Sequence, residues 1–128
     1  MQGLDKKNII VVDDMTSIRV IVVKLLIGLG ADENLIDEAE DGLEAFEKIN
    51  IKKYDLIISD WNMPEMTGYE LLKLCKAEDE LKDIPFMLLT SESDKSQVIA
   101  AVKARVNEYM TKPIDKEIFF KKLSGIFK

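Results

Sequence analysis

Short apolar runs alternate along this chain with longer segments in which apolar residues recur every three or four positions. Three runs, at 9–12, 54–59 and 86–90, are mostly apolar, which is typical of strands buried on both faces of a parallel sheet. The longer segments have the period of helices with one buried face. The complete prediction is strands at 9–12, 34–38, 54–59, 86–90 and 108–111 and helices at 15–29, 43–51, 68–76, 95–104 and 116–127, with Ser93 or Asp94 capping the fourth helix and Asp115 the fifth.

Five strand–helix alternations predict one doubly wound α/β domain over residues 1–128. Right-handed crossovers would place helices on both faces of a five-stranded parallel sheet. The 128 residues suffice for a single domain that buries roughly two thirds of its unfolded surface. Because the sequence ends on the fifth helix, we expect no output domain.

Composition narrows the functional classes. A net charge of −6 argues against nucleic acid or an anionic membrane as the main partner. The absence of histidine from the sequence excludes Ser-His-Asp triads and zinc sites of the histidine type. Cys75 is the only cysteine, so no intramolecular disulfide can form. Without a signal peptide or an apolar stretch of membrane-spanning length, we expect a cytoplasmic protein with no membrane insertion.

Polar residues stand where the predicted strands end. Asp13 and Asp14 follow the first strand, and Asp60 ends the third. Thr90 ends the fourth strand, and Lys112 follows the fifth. The carboxyl ends of parallel strands share one edge of the sheet, and open α/β sheets bind ligands there. Two carboxylates ~4 Å apart repel by about 4 kcal/mol at an effective dielectric near 20, so three aspartates at this edge predict a bound cation.

The chemistry of this edge favours magnesium and phosphate. Oxygen ligands without histidine or cysteine favour a hard ion, and a site that recruits phosphate oxygens favours Mg²⁺. A metal, the ammonium of Lys112 and the hydroxyl of Thr90 around Asp60 form a receptacle for a phosphoryl group. Each residue taken alone has a simpler explanation as a helix cap, a solvated lysine or a turn hydroxyl. Their placement at successive strand ends makes the pattern specific.

A wider set of residues, spread over nearly the whole chain, carries a family resemblance. The set is Val12-Asp13-Asp14, Asp60-Trp61-Asn62-Met63-Pro64, Met66, Gly68, Thr90 and Lys112-Pro113. This pattern resembles the receiver domain of two-component response regulators. The resemblance implies a flavodoxin-like (βα)5 domain with strand order 2-1-3-4-5, an order taken from the family, for which CheY is a standard example, and not from the hydrophobic pattern. Narrower likeness to stand-alone chemotaxis regulators, the CheY group, rests on Trp61-Asn62, Glu92, Lys95 and Lys122.

The resemblance implies a role for each residue of the edge. Asp60 would accept a phosphoryl group from a histidine kinase and become 4-aspartylphosphate. The carboxylates of Asp13, Asp14 and Asp60 and the backbone carbonyl of Asn62 would hold Mg²⁺. The protein would be a phospho-accepting signalling domain, not an enzyme, apart from its own phosphorylation and dephosphorylation. The implied catalytic set is Asp60, Thr90 and Lys112, with a cis peptide bond between Lys112 and Pro113.

Phosphorylation would change the face built from the fourth helix, the fifth strand and the fifth helix. A target protein would bind there, in chemotaxis the flagellar motor switch, and a phosphatase is a further partner. Asn62 and Glu92 would tune dephosphorylation. We expect a monomer or a weak dimer. The implied switch and partner residues are Tyr109, Lys95, Val98 and Lys122.

The sequence departs from the family pattern in three places and adds one feature. Thr67 replaces the usual Asp or Asn, Arg105 the usual Gly, and Ile114 an aromatic residue. The first helix carries a second apolar stripe, which is either scattered exposed aliphatics or a docking site for a phosphotransfer partner or a second copy. The predicted inward residues of this helix are Ile18, Ile21, Val22, Leu25, Leu26 and Leu29, and the stripe is Val20, Val23 and Ile27, joined by Phe120.

Other functions remain open at this point. The chain could be a receiver from another phosphorelay or a piece of a larger regulator. A magnesium-dependent phosphatase of the haloacid-dehalogenase type also uses an aspartate nucleophile, but it needs a second aspartate where Asn62 stands. A flavodoxin-like cofactor binder would need a phosphate-binding loop after the first strand, where two aspartates stand instead.

Overall fold

A parallel sheet lies between two layers of helices in the computed structural model, which describes residues 1–91 and 95–127. This architecture confirms the predicted doubly wound fold. Short 3₁₀ turns precede the first and second strands, at Leu4–Lys6 and Glu33–Leu35. The strands are β1 (Ile9–Val12), β2 (Ile36–Ala39), β3 (Leu56–Asp60), β4 (Phe86–Thr90) and β5 (Glu108–Thr111), and the helices are α1 (Thr16–Gly28), α2 (Gly42–Ile51), α3 (Gly68–Ala77), α4 (Lys95–Lys103) and α5 (Lys116–Ile126).

The strand order is β2-β1-β3-β4-β5, as the family resemblance implied. The chain therefore moves outward from β1 in both directions, and the order reverses between β1 and β3. Val12 lies opposite Ser59 across this junction. Asp13 and Asp60, the next residue of each chain segment, therefore lie side by side at the same edge of the sheet. Asp60 pairs in turn with Leu89 of β4. The register thus gathers the polar strand ends at one place.

A buried core covers each face of the sheet. Alternate β1 residues point to opposite sides, with Ile10 packed among residues of α2 and α3 and Ile9 among residues of α1 and α5. Every residue of β1 and β3 is buried, which explains the lack of polar alternation in both strands. No helix in the described ranges is long and apolar enough to cross a membrane.

Local hydrogen bonds explain where elements begin. The predicted second strand began at residue 34, but the carboxylate of Asp32 accepts the amide of Asn34 and starts a 3₁₀ turn, so β2 begins at Ile36. Thr67, a departure from the family, is the N-cap of α3: its side chain accepts the amide of Glu70, whose carboxylate accepts the amide of Thr67. This capping box stabilises the start of the helix that follows the Asp60 loop.

The prediction for the inward face of α1 is wrong at one position. Ile21 was placed among the inward residues, but it is 46% exposed. Val22 and Leu26 are buried as predicted, and Arg19 takes the third buried position. The helix turns Ile21 to the flank of its buried stripe, where none of the elements that the structure describes covers it.

Arg105 has the backbone angle φ of 66°, in the left-handed region. A residue with a Cβ is strained there, whereas glycine is not. We therefore expect Arg105→Gly to raise the free energy of unfolding by about 1 kcal/mol in urea titrations. Arg105→Ala, which keeps the Cβ, is the control and should show no such gain. Equal effects of the two substitutions would mean that the side chain, and not the backbone angle, determines stability at this position.

Candidate functional site

Three carboxylates meet at the carboxyl ends of β1 and β3. Asp13 and Asp60 are buried and Asp14 is exposed. One carboxylate oxygen from each lies within 4.8 Å of the others. The structure therefore brings together the three aspartates that the strand ends predicted. An all-oxygen donor set with one exposed member fits a hard divalent cation that keeps part of its water shell.

Lys112 reaches this acidic cluster from the loop after β5. Its Nζ lies 3.1 Å from Oδ2 of Asp13 and 3.2 Å from Oδ1 of Asp60. The peptide bond between Lys112 and Pro113 is cis. Burial opposes the charge on Lys112, but the negative charges of Asp13 and Asp60 outweigh it and raise the pKa of the lysine. The ammonium is therefore held in its charged form beside Asp60.

Asp60 is the member of the cluster whose charged form is disfavoured. Burial raises its pKa above the usual 3.8, the charge of Asp13 raises it further, and Lys112 lowers it only in part. One lysine is thus too little positive charge for two buried carboxylates and a third close by. A divalent cation would supply the missing charge.

The raised pKa of Asp60 predicts that Asp60→Asn increases the free energy of unfolding in metal-free buffer, by an amount that depends on pH. Because the folded pKa of Asp60 lies above 3.8, the native state binds more protons than the unfolded state between the two values, and stability falls as the pH rises through that window. Asparagine does not ionise, so the variant does not lose stability in this window. Urea unfolding should show the variant to be more stable than the parent near neutral pH, with the gain vanishing in acid.

Asp37 offers a matched control of opposite sign. Burial raises its pKa, but hydrogen bonds from Tyr54 (2.6 Å) and Lys52 (2.9 Å) prevail and lower it. Its stabilising contribution is present above the unfolded pKa and lost as the pH falls through the folded one. Asp37→Asn should therefore destabilise the protein at neutral pH and converge with the parent in acid. A gain from Asp60→Asn that does not change with pH would contradict the electrostatic explanation.

Asp13 is fixed by a neighbour that the sequence analysis missed. The guanidinium of Arg19 donates to the backbone carbonyl of Asp13 (2.5 Å) and pairs with Glu38 at 3.0 Å. One carboxylate oxygen of Asp13 accepts the amide of Met15 at 2.9 Å. A signal was available: Arg19 lies on the same helical face as Leu26, and a charged residue on an apolar face needs a buried partner.

The loop after Asp60 packs closely against its backbone. Ser59 Oγ donates to the carbonyl of Asp60 at 2.9 Å, and the amide of Gly68 donates to the carbonyl of Trp61 at 2.8 Å. A Cβ on Gly68 would lie only 2.0 Å from the carbonyl oxygen of Asp60. Only glycine fits at this position. Asn62, whose carbonyl was predicted as a metal ligand, lies in this loop with an exposed side chain.

Thr90 ends β4 beside this loop and is fully buried. It directly follows Leu89, the partner of Asp60 across the ladder. Its Oγ1 lies 3.5 Å from Oε1 of Gln97 on α4, and its carbonyl accepts the amide of Lys112 at 2.6 Å. Thr90 is therefore connected both to α4 and to the lysine loop.

The residues predicted for the partner face lie on α4, β5 and α5. Tyr109 is half-buried, and it lines a cavity of about 250 Å³ together with Lys112 and Lys122. Lys122 pairs with Glu108 at 3.2 Å. On α4, Lys95 is exposed and Val98 half-buried. The predicted tuning residue Glu92 lies outside the described residues, as do the predicted caps Ser93 and Asp94.

The second apolar stripe of α1 differs from the prediction. Val20 and Ile27 are exposed, at 42% and 39%. Val23 is instead half-buried and packs against the core on that face of the sheet. The exposed apolar surface of α1 is therefore Val20, Ile21 and Ile27, with exposed Phe120 on α5.

Comparison with known proteins connects this geometry to one family. The family model described as response regulator receiver domain matches residues 9–124. The chain is 40% identical over 129 residues to the chemotaxis protein CheY-3 of Vibrio cholerae serotype O1, covering 99% of this chain and 98% of that one.

Solved structures agree. The chemotaxis response regulator CheY4 of Vibrio cholerae superposes with a TM-score of 0.82 at 32% identity, covering 92% of this chain and 96% of that one. The receiver domain of the sensor histidine kinase PA1611 from Pseudomonas aeruginosa has a magnesium ion coordinated in its active site cleft, and it superposes with a TM-score of 0.81, covering 95% of this chain and 98% of that one. At 22% identity, the second likeness shows the fold alone.

Proposed function

Because the chain belongs to the response regulator receiver family, we propose that Asp60 takes a phosphoryl group from a histidine kinase and that the phosphorylated form binds a target. CheY-type receivers are signalling proteins that work between a kinase and a downstream target. The observation that carries the proposal is the contact of Lys112 with a buried Asp60 whose pKa is raised. A carboxylate in this setting has too little positive charge around it. A metal ion that binds together with the phosphoryl group would supply that charge.

The residues around Asp60 divide the chemistry between them. A carboxylate oxygen of Asp60 forms a bond to phosphorus while the bond from phosphorus to the histidine nitrogen breaks, and the imidazole leaves with that electron pair. Mg²⁺ would be held by the carboxylates of Asp13, Asp14 and Asp60 and by the backbone carbonyl of Asn62. When bound, the metal neutralises charge on the phosphoryl oxygens. Lys112 would bind a phosphoryl oxygen from the opposite side.

Thr90 and Tyr109 would transmit the change. The Thr90 hydroxyl would turn from Gln97 to the new phosphoryl oxygens, and Tyr109 would pack further inward, which shifts the face of α4, β5 and α5. Lys95, Val98 and Lys122 would contact the target on this face. Because the relatives are chemotaxis proteins, the proposed target is a component of the flagellar motor switch. Asn62 and Glu92 would tune the hydrolysis that resets the protein, alone or with a phosphatase.

Transfer from a purified, autophosphorylated chemotaxis kinase tests this proposal. We expect rapid incorporation of close to one phosphate per chain with Mg²⁺ and loss of incorporation when the metal is chelated. A stable phosphoryl mimic should increase capture of the motor switch protein, and Lys122→Ala should reduce that capture without slowing phosphorylation. Metal-independent incorporation, or capture that ignores the mimic, would contradict the respective part of the proposal.

The exposed apolar surface of α1 is the proposed docking area for the phosphodonor. This surface runs away from the site along α1, which begins at Thr16, two residues after Asp14. Val20→Gln together with Ile27→Gln should slow phosphotransfer from the kinase by at least tenfold and leave phosphorylation by a small phosphate donor unchanged. Ile51→Gln, at an 87% exposed position on α2, is the control. Unchanged transfer and an unchanged sedimentation profile would exclude this role, including self-association through α1.

A further inference from the structure

A second, basic cleft lies between α3 and the end of α4, apart from the acidic cluster. It has a volume of about 340 Å³ and is open to solvent. Tyr69 and two alanines line it together with four cations. The cations are Lys73, Lys76, Lys103 and Arg105.

None of the four cations forms an ion pair with a carboxylate of the described residues, although Asp83 acts electrostatically on Lys76 and Glu70 on Lys73. The whole chain, by contrast, carries a net charge of −6. Burial lowers the pKa of Lys76, Cys75 and Asp83 oppose this in part, and the positive charge of Arg105 adds to the lowering. These cations therefore repel one another, and an anion in the cleft would relieve the repulsion.

Part of the cleft is held in position before any ligand arrives. Nζ of Lys76 donates to the side-chain carbonyl of Asn107 at 2.9 Å and to the backbone carbonyl of Lys82 at 3.1 Å. Nζ of Lys73 lies 4.9 Å from the centre of the Tyr69 ring. Arg105 lines the cleft, and its backbone is in the left-handed region. Lys76, which these hydrogen bonds hold in place, loses little conformational freedom on binding, and this favours affinity.

We propose that this cleft binds a small ligand that carries two or more phosphate groups. Four cations around one small cavity match several negative charges on a single molecule. The guanidinium of Arg105 can hold two phosphate oxygens at once, and the lysines act as point charges around it. The volume of about 340 Å³ suits a small molecule.

The cleft is also connected to the acidic cluster through two aromatic rings. Tyr69 stacks on Trp61 with ring centres 5.0 Å apart and planes 5° from parallel. Trp61 directly follows Asp60 and is the only tryptophan in the sequence. A ligand against Tyr69 should therefore change Trp61 fluorescence, which provides a built-in readout.

Titration with pyrophosphate in metal-depleted buffer tests the proposal, because the three aspartates repel anions when no cation is bound. We expect saturable amide shifts in NMR spectra at Lys73, Lys103 and Arg105, together with a saturable change in Trp61 fluorescence, and weaker binding as salt increases. Lys103→Gln with Arg105→Gly should lower the affinity at least tenfold. The matched control, Lys53→Gln with Lys116→Gln, removes the same charge at exposed positions elsewhere and should lower it less than twofold.

Comparison with ADP identifies the source of the phosphates. Equal affinity for both probes assigns the site to the phosphate chain alone, and tighter binding of ADP assigns it to a nucleotide. Absence of saturation up to about 10 mM, equal losses in the two double variants, or shifts centred on Asp13 and Asp60 would overturn the proposal. The titration involves no phosphotransfer, so its result is independent of the function proposed for Asp60.

Discussion

Asp60→Asn is expected to reduce incorporation of phosphate from the kinase by at least 100-fold, to the background of the assay. The amide cannot act as the carboxylate nucleophile, and it removes one proposed magnesium ligand at the same time. Autoradiography of the protein after incubation with labelled kinase measures the loss directly. The size of the expected effect makes this the most decisive test of the proposed function.

Two comparisons separate lost chemistry from lost structure. Asp60→Asn should fold at least as well as the parent, because the ionised carboxylate is disfavoured by burial and by Asp13. Asp14→Asn, at an exposed position in the cluster, should raise the magnesium concentration that phosphorylation requires and leave phosphorylation measurable at high metal concentration. Undiminished labelling of Asp60→Asn would show that another residue is the acceptor. A chemical trap that reduces acyl phosphates would then locate that residue.

Gly68→Ala is expected to destabilise the protein by about 3 kcal/mol, at the upper end of the usual cost of overpacking. The added Cβ would lie 2.0 Å from the carbonyl oxygen of Asp60 and 2.9 Å from Ser59 Oγ. The nearest atom belongs to the backbone of a central strand, so it cannot move aside without displacing Asp60. Urea unfolding measures the loss of stability, and phosphotransfer in the surviving folded fraction should also be slower.

Gly28 provides the matched control for this substitution. A Cβ there meets nothing within 4 Å, and the residue is helical, so Gly28→Ala should stabilise the protein by about 0.5–1 kcal/mol. Opposite signs at the two glycines would show that contact with Asp60, and not the general effect of replacing glycine, is responsible. A loss below 1 kcal/mol at Gly68 would mean that the loop can move away from the strand.

Much of this protein is determined by local sequence pattern. Strand–helix alternation and the uninterrupted apolar runs were enough to predict a doubly wound sheet, because a strand without polar alternation can only be buried on both faces. Placing Asp13, Asp60 and Lys112 at one edge followed from the shared direction of parallel strands. The strand order itself came from the family, since the hydrophobic pattern does not specify which strands are neighbours.

The tertiary structure decided what depends on contacts between residues distant in sequence. Spacing along α1 places Arg19 on the buried face, but it could not show that the Asp13 carbonyl would be its partner. Nor could it show that Val23 would be covered while Ile21 would not, because neighbouring elements set the width of the buried stripe. It also could not assign Lys112 to both Asp13 and Asp60, or gather four cations from α3, the end of α4 and the turn after it into one cleft. Local hydrophobic period fixes which residues can be buried in an element, and only packing of the elements fixes which charges become neighbours.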